Sequence, residues 1–288
     1  MHHLAGFSAG MVASIPSPSS GSIEIGPLTL RAYGLMIALG VLAAVWLFGK
    51  RMVERGIDGE HAAGIAMWAV PAGLVGARMY HVITDWRSFE GRWEDAFKIW
   101  EGGLGIPGGI ALGTAAGIWQ AHRRGIPTPT LLELSAPALP LAQAIGRWGN
   151  WFNQELYGKP TDLPWALEID AEHRVANYTD QATFHPTFLY ESLWNFALVA
   201  FLLWIDRRRL LRPGGLFAVY VAGYATGRLW IEAIRIDTAS RLFDVRINIW
   251  IMSIVLLGAL GWLAWMARRP VEVDEPQDEV EPAADVVD

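Results

Sequence analysis

Residues 247–267 read INIWIMSIVLLGALGWLAWMA, an unbroken run without a single charged side chain. At 1.5 Å rise per residue a helix needs about 20 such residues to cross about 30 Å of hydrocarbon, and this run meets that length. Six comparable stretches precede it, at 30–48, 62–82, 104–121, 131–151, 187–205 and 214–234. Together they predict an all-α polytopic membrane protein with seven transmembrane helices. Composition agrees: 52% of the 288 residues are apolar and only 18% are charged, where soluble domains carry about 25%. Thirty glycines and 15 tryptophans suit close helix packing with aromatic anchors at the lipid boundary. An ordinary cytosolic enzyme is excluded, as are disordered, collagen-like and disulfide-stapled classes.

The flanks set an orientation. Lys50, Arg51 and Arg55 follow the first stretch, and Arg123 and Arg124 the third. Arg207, Arg208, Arg209 and Arg212 follow the fifth, and Arg268 and Arg269 the last. With seven spans all of these fall on one side, as the positive-inside rule requires. The expected plan is therefore an exterior N-terminal segment over 1–29, a membrane domain over 30–269 and a cytoplasmic tail over 270–288. The first twenty residues lack the basic start and compact apolar centre of a signal peptide. The tail holds eight acids over 271–288 and accounts for the net charge of -6, so that figure describes a solvated, disordered end. Nucleic acid is not an expected partner. The connection 83–103, with Trp86, Trp93 and Trp100, reads as an interfacial segment, and 152–186 as a small exterior head. The third stretch is rich in glycine and the fourth in proline. Such breakers are tolerated where protein surrounds them, which places both inside the bundle.

A charge at mid-bilayer costs about 2.5–3.5 kcal/mol on insertion scales, yet the apolar stretches contain Arg78, Glu133, Arg147, Glu191, Arg228 and Glu232. For any one of them, structural pairing is a sufficient reading. The set is more telling. Arg147, Asn150, Asn153 and Glu155 fall at the exterior end of the fourth span, and His185, Tyr190 and Glu191 near the exterior start of the fifth. Arg228, Glu232 and Arg235 end the sixth, with Arg228 and Glu232 on one helical face, and Tyr33 begins the first. Arginines facing inward at headgroup depth call for an anion, and guanidinium binds phosphate bidentately. The residues thus point to a phospholipid headgroup and, with the carboxylates beside them, suggest chemistry on a lipid. A non-enzymatic transporter or lipid- or anion-binding membrane protein remains the alternative. Without cysteine the chain has no disulfide, thiolate metal site or thiol nucleophile of its own.

The stretch GRWGNWFNQELYG, 146–158, closely resembles the signature of bacterial prolipoprotein diacylglyceryl transferases, Gly-Arg-x-Gly-Asn-Phe-x-Asn-x-Glu-x-x-Gly, with Trp151 in place of the usual Phe. The likeness continues through RAYGLM (31–36), GAR (76–78), EGGLGIPGG (101–109), HPTFLYE (185–191) and GYATGRLWIEAIR (223–235), and covers about 23–269. It implies transfer of the diacylglyceryl group of phosphatidylglycerol to the lipobox cysteine in the signal peptide of a prolipoprotein. The products would be a thioether and glycerol phosphate. It also implies no metal or other cofactor and a multi-pass position in the bacterial plasma membrane; a monomer is the default, since one bundle alone can enclose a site. By carry-over Arg147 binds the lipid phosphate and Arg228 serves the reacting end. Asn150, Asn153, Glu155 and Gly158 shape the headgroup pocket. Tyr33, His185, Tyr190, Glu191, Glu232 and Arg235 orient arginines or substrates, and Gly102 and Gly103 of the glycine-rich loop join the binding set.

Negative charge develops on the leaving phosphate, and arginines in a site poor in water stabilise it strongly. Two departures matter. Many members carry a histidine, a candidate base, where this chain has Pro107, and Glu133 stands where Asp is common. Activation of the thiol is therefore expected from the arginine field, since nearby cations lower a thiol pKa from about 8.5. Glu155, Glu232 or the lipid phosphate would take the proton. Two motif matches carry no weight: GFSAG (6–10) has no strand before it, and the glycines at 103, 105 and 108 have no βαβ setting around them. His2 and His3 read as a ragged terminus, and His81 as a packing residue.

Overall fold

The computed structural model describes residues 14–25, 28–99, 102–212 and 214–268, without the side chains of 23, 25 and 28. The acidic tail, Arg269, Trp100, His2, His3 and the GFSAG motif lie outside the described residues. Nine α-helices run through the described chain: α1 Ala32–Glu54, α2 Glu60–Thr84, α3 Ile106–Arg123, α4 Thr128–Ser135, α5 Ala138–Gly146, α6 Trp148–Phe152, α7 Thr187–Arg207, α8 Gly215–Ile234 and α9 Ile247–Arg268. Three two-stranded antiparallel ribbons accompany them, β1 Ser22–Ile25 with β2 Leu28–Arg31, β3 Leu167–Glu168 with β4 Thr183–Phe184, and β5 Arg241–Leu242 with β6 Val245–Arg246. Each expected apolar stretch is helical, so the all-α class holds. Four helices, α1, α2, α7 and α9, are long and apolar enough to cross a membrane. The outer faces are greasy: Trp46, Met67, Ile83, Ile110, Ile254 and Leu257 are all exposed. An apolar patch of that extent is stable against lipid, not against water.

Three expectations need correction. The fourth stretch is not one helix but three, α4 to α6. Pro137 lacks an N–H and its ring clashes with the preceding turn, and the chain turns again at Arg147, which ends α5 and opens α6. The third stretch does not sit inside the bundle. Helix α3 packs chiefly on α2 at the periphery, with Ile106 and Ile110 exposed. Its glycines serve that single contact: a Cβ on Gly108 would collide with the carbonyl of Gly76 and the Cβ of Tyr80, so the two backbones touch. Small residues allow such approach in membranes. Leu30 belongs to a strand, not to the first helix, which begins at Ala32.

Helix α5 lies between α1 and α7, and α8 packs on α7 and α9. At one end of the bundle Arg51, almost fully buried, donates to the carbonyls of Glu133 and Leu134 (2.5 Å each) and to Asp206 (2.9 Å). Asp206 also pairs with Arg55, and Glu133 accepts the Gly214 N–H at 2.7 Å. This clamp ties the ends of α1, α4, α7 and α8. Arg78 is structural too. It donates to the carbonyls of Ala96 (2.8 Å), Gly102 (2.6 Å), Gly103 (3.1 Å) and Asp95, pinning the 3-10 turns Trp86–Phe89 and Trp93–Phe97 to the end of α2. His81 packs edge-on against Phe89.

Candidate active site

At the other end of the bundle charges from the α5–α6 junction, α7, the end of α8 and the β5–β6 ribbon meet. Glu191 on α7 lies 2.5 Å from Nε of Arg147 and accepts from Nη1 of Arg228 at 2.9 Å. Glu232 takes Arg228 Nη2 (2.5 Å) one turn back on α8, Arg246 Nε (2.6 Å) and Asn248 (3.2 Å), with Arg235 at 3.7 Å. Asp237 grips Arg235 through both oxygens (2.7 and 2.9 Å) and Arg246 (3.0 Å). Burial alone would raise the Asp237 carboxyl, but Arg235 and Arg246 outweigh it and hold it below the ordinary carboxylate range. Four guanidinia thus face three carboxylates, which leaves one positive charge in the lattice. That excess has an address. Arg147 touches Glu191 only through Nε, and among the described residues neither of its terminal nitrogens has an acceptor. Its side chain keeps 21% of its surface open.

Beside Arg147 stands a second constellation. Asn150 and Asn153 both donate to Oε1 of Glu155, at 2.8 and 3.3 Å. Among the described residues Oε2 of Glu155 receives no hydrogen bond. The backbone on either side of Glu155 is left-handed, at Gln154 (φ 50) and Leu156 (φ 61). Non-glycine residues persist there only when the surroundings impose it. Here Gln154 is clamped by Asp170, whose N–H it accepts at 2.8 Å and whose carboxylate it reaches at 2.6 Å, and Leu156 O accepts from Thr187. Gly158 donates its N–H to His185 O at 3.0 Å, and a Cβ would lie 2.8 Å from that of His185 and 3.3 Å from Ile234 O, so only glycine fits. The ring of Tyr33 covers Gly149, where a Cβ would come within 2.6 Å, and Tyr33 senses the charges of Glu155 and Arg147. Next to this loop, β3, β4 and their flanks pack Tyr157, Leu167, Ile169 and Phe184 into a small core with Phe188. Residue 15 adds a backbone bridge to Leu167. No group of three or more His, Asp or Glu placed for a metal occurs among the described residues.

The pattern of the prolipoprotein diacylglyceryl transferase family matches residues 21–265. The chain belongs to that family. A relative from Streptomyces griseus, a phosphatidylglycerol–prolipoprotein diacylglyceryl transferase, is 53% identical over 94% of this chain and 84% of its own length. Relatives of the same name from Frankia alni (53% identical, 93% of this chain, 71% of the relative) and Paenarthrobacter aurescens (46%, 89% and 84%) agree.

Within this family member the structure joins most of the residues read from sequence. Arg147, Glu191, Arg228, Glu232 and Arg235 form the lattice, and Tyr33, Asn150, Asn153 and Glu155 lie beside it. Gly158 and His185 are backbone-paired, and His185 Nδ1 lies 3.1 Å from the Tyr190 hydroxyl, which accepts from Trp165. Burial and the nearby Lys159 charge hold the His185 imidazole below its usual value, so it is neutral at pH 7. Gly102 and Gly103 stand apart: their carbonyls cap Arg78, and among the described residues no hydrogen bond or ion pair links them to the lattice. Sequence reasoning missed Arg246 and Asp237. Each looks like an ordinary interfacial charge beside a span. Only the β5–β6 ribbon, which returns the chain to the end of α8, puts Arg246 on Glu232.

Proposed function

We propose that the chain moves the diacylglyceryl group of phosphatidylglycerol onto the lipobox cysteine of prolipoproteins from a site at the outer leaflet. The observation that carries this reading is Arg147: a guanidinium held through Nε, with both terminal nitrogens open among the described residues, at the cationic end of a largely dry lattice. That fork suits two oxygens of a phosphodiester. The cysteine sulfur attacks the glyceryl carbon that bears the phosphate ester oxygen. A C–S bond forms, the C–O bond breaks, and its electron pair leaves on glycerol phosphate. Arg147 and, through the lattice, Arg228 are in place before that charge develops, which is where such donors lower a barrier most. Glu155 takes the thiol proton. Glu232 is excluded from that task because both its oxygens already accept from arginine, whereas one oxygen of Glu155 has no donor among the described residues.

In the bilayer, α1, α2, α3, the composite α4–α6, α7, α8 and α9 make seven crossings. The basic ends of α1 and α7 meet at the Arg51–Asp206 clamp, opposite the lattice, which supports a cytoplasmic clamp and an exterior head over 152–186. The protein works as a monomer, since one bundle encloses the whole lattice. The test is direct. Purified protein with phosphatidylglycerol and a lipobox peptide gives a peptide heavier by one diacylglyceryl group. Arg147→Ala and Arg228→Ala abolish that product while the folded protein remains. Absence of the mass increase with the unaltered protein refutes the function, and wild-type rates in either variant refute the residue roles.

A further inference from the structure

Residues 14–21 read SIPSPSSG and run across the signature loop before the chain enters β1. Ile15 donates its N–H to Ala166 O at 2.7 Å and accepts from the Glu168 N–H at 2.9 Å, which adds this segment to the edge of β3 opposite β4. The Ser17 hydroxyl donates to Glu168 O. The two prolines serve the other side. Pro16 O accepts from the Trp151 indole and Pro18 O from Gln154 Nε2, each at 3.2 Å. At the end of the segment a Cβ on Gly21 would lie 3.1 Å from Phe152 O and 3.5 Å from Asn153 Oδ1.

The sequence suits the task. Proline fixes φ near about −65° and has no N–H, so the segment loses little freedom on becoming extended and carries few donors in need of a partner. Its carbonyls remain to accept. Gln154 is the point of leverage, buried and left-handed at φ 50. Its carboxamide oxygen accepts from the Asp170 N–H, one amide hydrogen goes to the Asp170 carboxylate, and Pro18 O takes the other. Gln154 also donates its backbone N–H to Trp151 O at 3.2 Å, closing a turn. Residues 16–18 therefore grip both ends of that turn, and the next residue is Glu155. Trp151 is the position at which 146–158 departs from the signature, and phenylalanine would have no N–H to give to Pro16.

Resting on the role given to Glu155 above, we propose that residues 15–21 are a positioning strap for the base. By fixing the Trp151–Gln154 turn they hold the left-handed backbone at Gln154 and Leu156, and with it the carboxylate that meets the incoming thiol. Among the described residues no hydrogen bond or ion pair joins this segment to Arg147 or Arg228. Lipid phosphate binding and base positioning are thus carried by separate contacts, and loss of the strap touches only the second.

The experiment compares the unaltered chain with Trp151→Phe and with a chain lacking residues 2–19, by lipidation of a lipobox peptide and by amide hydrogen exchange over 150–158. In the shortened chain kcat falls about 10- to 100-fold, the scale of a misplaced catalytic group, while KM for phosphatidylglycerol stays within about twofold. Trp151→Phe, which loses one hydrogen bond, falls about three- to tenfold. Raising the pH from about 7 to 9 ionises a thiol of pKa about 8.5 without a base, so the deficit narrows. The free peptide SIPSPSSG at about millimolar, the concentration a short tether supplies, restores kcat and slows the exchange that its loss had quickened. Parental kcat in the shortened chain overturns the proposal. So does a parallel loss of kcat, lipid affinity and unfolding midpoint that neither pH nor peptide repairs, since that is a merely structural role. No product from the unaltered chain would instead sink the transferase reading, and exchange over 150–158 still decides the strap: unchanged rates on shortening refute it.

Discussion

Glu232→Gln is the most revealing single change in the lattice. The side chain is 1% exposed and its carboxylate is shared by Arg228, Arg246 and, more distantly, Arg235. Glutamine keeps the shape but removes the charge, so four guanidinia would face two carboxylates in a site with little water. Removing one partner of a buried ion pair costs about 3–5 kcal/mol. At about 2–4 °C per kcal/mol for chains of a few hundred residues, the unfolding midpoint should fall by about 6–20 °C. The 15 tryptophans make intrinsic fluorescence in detergent a convenient readout. The charge argument makes a second, sharper demand. Adding Arg246→Met to Glu232→Gln restores the original excess of one positive charge, so the double variant should be more stable than Glu232→Gln alone by about 2 kcal/mol or more. A single variant that unfolds within a degree or two of the parent, or a double variant whose loss is the sum of the two single losses, would refute the idea that charge balance holds α7, α8 and α9 together here.

At the opposite end, Arg51→Met strips donors from Glu133 O, Leu134 O and Asp206. It should cost about 3–5 kcal/mol in thermal unfolding yet leave the lipid KM of the folded protein unchanged; a changed KM would mean the two ends are coupled. Gly108→Ala drives a methyl into the Gly76 carbonyl and should lose about 1–3 kcal/mol as α2 and α3 part. Gly258→Ala on α9, where a Cβ meets nothing within 4 Å, should be neutral or slightly stabilising; equal losses at both sites would contradict the close α2–α3 contact. His185 gives a pH signature. Its folded pKa lies below the unfolded value of about 6.5, pushed down by burial and Lys159. The unfolded chain therefore binds the proton first, and stability falls as pH drops from about 6.5 through the folded value. His185→Asn should show a smaller drop in unfolding midpoint between pH 7.5 and 5.5, and an identical drop would argue against a neutral, half-buried imidazole.

Much of this was legible in the sequence because its strongest signals are also its simplest. Length and the absence of charge made α9 readable without any packing information. The 146–158 motif was readable because each fixed residue answers a local demand that survives translation into structure: Gly149 under Tyr33, Gly158 against His185, two asparagines for one carboxylate. What escaped was non-local. The break at Pro137 competes with an apolar run long enough for one helix, and only the packed neighbours decide that the run bends. The β5–β6 ribbon is two residues a side, too short to signal itself, yet it delivers Arg246. Glycine-rich α3 looked like an interior helix because glycines imply close neighbours, but one neighbour, α2, satisfies them all.

The failures of hydropathy are themselves informative. Helices α3 and α8 and the composite α4–α6 fall short as membrane spans by length and composition, whereas α1, α2, α7 and α9 pass. Glycine explains the first of the three, and the other two bear Arg147, Arg228 and Glu232. A transferase that brings a charged phosphate to a thiol within the bilayer needs guanidinium at a depth where lipid rejects it, and each such residue lowers the apolarity of the helix that carries it. The lattice resolves the conflict by giving every carboxylate at least two arginines and leaving one arginine half free. Had the charges been matched one to one, the helices would pack as well or better, but no fork would remain for a substrate. On the proposed function the surplus guanidinium at Arg147 costs stability and serves the transfer, and its replacement by a neutral side chain of similar bulk, Arg147→Met, should stabilise the fold while ending transfer.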